Sequence, residues 1–287
     1  MRWKRSRRSG DIIDRRGRGS GRSPGMSLGI GGGGLGLVAI VVLVLLNSGV
    51  FGGDFDVRNV PELGGGAPGS GDPEADGKLV DFMSFVLDDA QGFWSDTFQE
   101  AGRSYERAEL VIFTGATNSG CGGATSDIGP HYCPADQRMY LDLDFFKELR
   151  NRFGAPGDFA QAYVLAHEIA HHVQNEFGIS DDVHRSQQDD PGQANELSVR
   201  LELQADCFAG VWAFTTYERS LLESGDLEEG LAAAAAIGDD RIQRETTGRI
   251  DRESWTHGSS EQRVRWFKRG YENGDPNACD TFSADSL

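Results

Sequence analysis

Positive charge is scarce in this chain. Its 287 residues hold 28 Lys and Arg against 45 Asp and Glu, a formal charge of −17. No net positive field exists to displace counterions from phosphates, which argues against a nucleic-acid partner. Cysteine is also sparse, with four residues and no C-x-x-C pair, so a cysteine-built zinc ribbon has little support. Charge of either sign is missing altogether between Arg22 and Asp54, where Leu35 to Leu46 forms a solid apolar run.

The charge that is present is unevenly placed. Residues 1–22 carry nine basic side chains against Asp11 and Asp14, and 20 of the 39 glycines fall in the first 77 residues. Crossing a bilayer takes about 20 apolar residues, which the uncharged window 26–51 supplies. The basic residues before it and Asp54 and Asp56 after it orient the N-terminus to the cytoplasm and the C-terminal part outside. A cleavage site of the A-x-A kind is lacking after the run, which favours a retained anchor over a cleaved signal peptide. The expected organisation is a basic cytoplasmic segment (1–25), a transmembrane anchor (26–51), a flexible Gly, Pro and acidic tether (52–77) and one globular domain (78–287).

Within that domain, apolar residues from Leu79 to Val86 and from Phe93 to Phe98 recur at helical spacing. Glu109 to Phe113 and Met139 to Leu143 read as strands, the second half-buried. Long helices are expected from about Asp158 to Phe177, stopped by Gly178, and from about Asn195 to Tyr217, separated by a polar loop over 179–193. Further helices are expected over Leu227 to Ile237 and Ser259 to Tyr271. The fold class is therefore α+β, helix-dominated with a small sheet.

The chemistry concentrates in Val164 to Val173, V-L-A-H-E-I-A-H-H-V. His167 and His171 are four apart on a helix and face the same way, so both imidazoles can hold one metal ion, with Glu168 in reach of a water on that ion. Two histidines leave a catalytic zinc one protein ligand short. In the metzincin pattern a third histidine follows six residues after the second, but Phe177 stands there. The next helix offers a carboxylate instead: Glu202 as third ligand, and Asp206, one turn on, as acceptor for the far ring nitrogen of His167.

H-E-I-A-H-H-V-Q with E-L-Q-A-D-C-F-A-G-V-W-A, C-G-G-A-T-S-D-I-G-P-H-Y-C-P-A-D-Q-R-M-Y-L-D-L and H-G-S-S-E-Q-R-V-R-W-F resembles the bacterial neutral zinc metallopeptidases of the YpfJ-like group. More distantly it is similar to membrane-bound gluzincins of the HtpX-like group, whose E-x-x-A-D motif matches Glu202, Ala205 and Asp206. The resemblance implies a zincin-like fold, Zn²⁺ as cofactor and endopeptidase activity on a protein or peptide substrate. A catalytically silent, membrane-anchored binding protein that retains the zinc is the rival reading.

Glu168 is the expected general base. His257 is the first candidate for stabilising the oxyanion, and Arg263 and Tyr140 are weaker ones. Met139 to Leu143 is expected to serve as the edge strand along which a peptide adds. His131, His172 and His184 are read as non-ligands. Cys121 with Cys133 suits a local clamp and Cys207 with Cys279 a tie for the tail, with free buried thiols as the alternative.

Overall fold

In the computed structural model of the protein, the described residues are 1–4, 7–17 and 73–287. The expected anchor lies outside them, as does most of the tether. Among the described residues no helix is long and apolar enough to cross a membrane.

The first long helix, α1 (Pro73–Glu100), fuses the two amphipathic stretches of the sequence into one element. It begins five residues inside the stretch read as tether, with Pro73 in its first turn and Glu74 and Asp76 complementing the helix dipole. One face, from Val80 through Met83, Leu87 and Trp94 to Phe98, is buried in the main core.

The sheet has four strands, one of them from the far N-terminus. β1 (Ile12–Asp14) pairs in parallel with β2 (Glu109–Phe113). β3 (Ala116–Ser119) and β4 (Gly122–Thr125) form a separate hairpin, followed by β5 (His131–Cys133) and β6 (Arg138–Asp142). The order β1-β2-β6-β5 puts β6 inside, parallel to β2 and antiparallel to β5. The expectation that Met139 to Leu143 forms an edge strand is thus corrected. Burial on both faces of Met139, Tyr140 and Leu141 marks an inner strand, and the edge is the short β5.

The helical layer follows: α2 (Phe145–Asn151), α3 (Asp158–Phe177), α4 (Ile179–Asp189), α5 (Ala194–Glu218), α6 (Asp226–Ala236), α7 (Asp239–Thr247) and α8 (Ser260–Asn273). α3 is the hub, buried almost all round and ended by Gly178 at φ 82°. The expected loop over 179–193 is largely α4, which buries only Val183 and so carries almost no apolar period. α5 and α8 touch backbone to backbone. A Cβ on Gly210 would sit 2.0 Å from the Phe267 carbonyl oxygen, and one on Gly270 1.9 Å from that of Cys207, so only glycine permits this crossing.

Both disulfides form in the expected pairing. Cys121–Cys133 clamps the hairpin to β5, and Cys207–Cys279 ties α5 to the C-terminal tail.

Candidate metal centre

α3 and α5 bring three donors together. His167 Nε2 lies 3.2 Å from His171 Nε2 and 3.2 Å from Glu202 Oε2, and His171 Nε2 lies 3.4 Å from Glu202 Oε1. Donors held 2.0–2.1 Å from one tetrahedral ion stand about 3.3 Å apart, so the spacing fits zinc. The far ring nitrogens are committed elsewhere. Asp206, which can only accept, takes His167 Nδ1–H at 2.9 Å, and the Gln174 amide oxygen takes that of His171 at 2.9 Å. Gln174 is itself fixed, because its amide nitrogen donates to the Leu201 carbonyl and to Gln204. In their neutral forms both imidazoles would then turn an Nε2 lone pair towards a carboxylate, an arrangement that a metal cation between them stabilises in place of a proton.

Behind the donors, Asp206 is fully buried and shared by His167, the Tyr163 hydroxyl and Arg263. The Arg263 guanidinium, 1% exposed, reaches Asp206 through Nε at 2.9 Å and Nη2 at 3.0 Å, and lies 3.7 Å from Glu202. The fully buried Asp206 and the half-buried Glu202 therefore face one buried guanidinium, and the second negative charge is balanced by a cation, whether a protonated His167 or a metal ion. Burial works against ionisation of Asp206 and Glu202, yet their cationic neighbours hold both below the usual carboxylate range. Burial likewise opposes a charged His167, but Asp206 and Glu202 outweigh it and push the imidazole up to about 9.

These groups open on a cleft of about 680 Å³. Glu168, 8% exposed, lines it beside the histidines. Phe145, Val164, Ile237 and Ile242 give it an apolar stretch, and β5 borders it through His131 and Tyr132. His257 also lines the cleft. Its Nδ1 faces Asp239 Oδ1 at 3.3 Å, while Asp239 Oδ2 accepts the backbone N–H groups of Thr256, His257 and Gly258. Burial lowers the imidazole pKa, but the charges of Glu202 and Asp239 prevail and raise it.

Arg263 backs the donor cluster and, though only 1% exposed, also borders the cleft. Tyr140 is turned away, its hydroxyl donating to Asp136. His172 bridges the edge strand to the main chain, with Nε2–H on the Glu106 carbonyl and Nδ1 accepting from the Tyr132 hydroxyl. His131 and His184 line the cleft outside the donor cluster. Asp239, Gln174 and Tyr163 were not foreseen as supports of the site. Asp239 follows Gly238 at a helix start, which reads as an ordinary first-turn acid.

Comparison with known proteins agrees with this geometry. The sequence profile of a family described as putative neutral zinc metallopeptidase matches residues 1–282. The uncharacterized protein YpfJ of Escherichia coli K12 is 44% identical over 285 residues, covering 98% of this chain and 99% of that protein. The uncharacterized protein Rv2575 of Mycobacterium tuberculosis H37Rv is 50% identical over 194 residues, 64% of this chain and 65% of that one. No solved structure matches. Zinc is thus implied both by the family's description and by a donor set that suits it, and the chain belongs to the putative neutral zinc metallopeptidase family.

Proposed function

We propose that the protein is a zinc-dependent endopeptidase of the gluzincin type, with His167, His171 and Glu202 as the metal ligands and Glu168 as the general base. The convergence of three donor atoms, each histidine's other nitrogen being engaged, carries this reading. Zinc, when bound, supplies a Lewis acid for the scissile carbonyl and lowers the pKa of a water at its open position.

The chain's own residues do the rest. Glu168 takes the proton from the attacking water and delivers it to the leaving amine. His257, held by Asp239, donates to the oxygen that gains negative charge. Asp206 keeps His167 in the tautomer whose Nε2 faces the metal, and Gln174 does the same for His171. Arg263 is a positioning residue that keeps Asp206 ionised and aimed. An extended peptide adds to β5, with main-chain hydrogen bonds supplying affinity and the apolar lining around Val164 taking a bulky side chain.

The test measures zinc content and cleavage of an unstructured protein by the purified full chain, with Glu168→Gln alongside. One equivalent of zinc in both, with chelator-sensitive cleavage at least about 10²-fold faster in the wild type, is the expected outcome. Equal cleavage by both would overturn the role of Glu168. Zinc in both with cleavage by neither would favour a silent binding protein.

A further inference from the structure

The first fourteen residues read in sequence as a cytoplasmic tail, yet their contacts are those of a structural element. β1 lies in register on β2, Ile12 beside Leu110, Ile13 beside Val111 and Asp14 beside Ile112. Leu110 N–H donates to the Asp11 carbonyl and Arg15 N–H to that of Ile112, both at 2.7 Å. Leu110, Val111 and Ile112 have no exposed surface, a composition suited to an inner strand. With β1 removed, β2 would present an open, apolar edge, which folded proteins avoid.

The rest of the segment is also engaged. Trp3 packs against Phe82 and Phe85 of α1 at centroid distances of 5.4 and 6.3 Å. Ser9 N–H donates to Ser84 Oγ at 2.6 Å, and Ser9 Oγ donates to Asp88 at 2.7 Å. Two of the basic residues that suggested a membrane flank engage the domain instead. Arg8 pairs with the buried Asp81, and Arg15 donates to Thr117 and to the Asn118 carbonyl. The Met1 ammonium reaches Asp158 at 2.9 Å and Asp226 at 3.1 Å, the first residues of α3 and α6. The segment thus touches the opening turn of the helix that carries the metal donors.

We infer that residues 1–4 and 7–14 are a fixed part of the metallopeptidase domain and share its side of any membrane, so that the apolar run 35–46 does not separate them by a single crossing. A single crossing would put β1 and β2 in different compartments, where neither their hydrogen bonds nor the Trp3 contacts could form. The surface offered by α1, β2 and the first turns of α3 and α6 is therefore a binding site for the chain's own basic N-terminal segment.

Because all four cysteines are bridged, an introduced thiol is unique. Lys4→Cys and Glu261→Cys, both at exposed positions, are made separately in the full chain and expressed in bacterial cells. Each is treated with a membrane-impermeant maleimide before and after lysis. The expected result is one pattern for both, with labelling of both in intact spheroplasts or of both only after lysis. Labelling of one in intact spheroplasts and of the other only after lysis overturns the inference.

Discussion

Two joints among the described residues are built on opposite principles. Where α5 meets α8, backbones touch at Gly210 and Gly270, a disulfide lies alongside and a buried guanidinium grips a buried carboxylate. Where β1 meets β2, three residues pair at the sheet margin, and most of the surrounding ion pairs are part-exposed. Buried charges lose their hydration and depend on their partners, whereas exposed ones fall back on water. Of the candidate metal donors, Glu202 is carried by α5 of the first joint and His167 on α3 is tied to that joint through Asp206, so the site leans on the more tightly packed of the two. The N-terminal segment depends on strand pairing, one tryptophan and polar contacts such as those of Met1, Arg8 and Ser9.

Arg263→Met separates the two most sharply. It leaves Asp206 buried beside Tyr163 and His167 without its main counter-charge, and stability should fall by about 3–5 kcal/mol, read from the urea midpoint of the purified protein. A loss below about 1 kcal/mol would mean that this joint is no stronger than the other. Trp3→Ala probes the margin. Losing its contacts with Phe82 and Phe85 should cost about 1–2 kcal/mol and lower Tm by about 2–6 °C, with zinc content unchanged. Loss of zinc on that change would show the two joints to be coupled through α3.

The smallest effect is one of pH. Burial opposes the charge on the Met1 ammonium, but Asp158 and Asp226 raise it from 8.0 to about 10. A group whose pKa rises on folding contributes stability that is complete below its unfolded value and is lost as pH climbs through its folded one. Tm should therefore decline between about pH 8 and 10, by the equivalent of roughly 1 kcal/mol after solvent screening. In Asp226→Asn the decline should shrink.

The contrast also explains what could be read in advance. His167 and His171 are four residues apart on α3, and Glu202 and Asp206 four apart on α5, so helical period aligns each pair on its own helix. Asp239 was hidden because it acts across 18 residues on the main chain around His257. Tyr132 and His172 were hidden for the same reason, being 40 residues apart. α4 escaped notice because Val183 is its single buried residue. Alternation in Met139 to Leu143 indicated a strand, but period does not reveal which strands flank it, and the true edge is three residues long. β1 lay in a basic tract whose charges suggested lipid, while the partners of Arg8 and Arg15 sit more than 70 residues away.

The bridge between Cys207 and Cys279 spans 72 positions, and between its ends lie α6, α7, His257 and Arg263. That stretch is a closed ring. One cut anywhere in it releases no fragment, because both halves stay covalently joined beside the candidate metal donors. A nicked molecule would keep its mass but for one water, run as intact on a non-reducing gel and come apart only when reductant opens the ring.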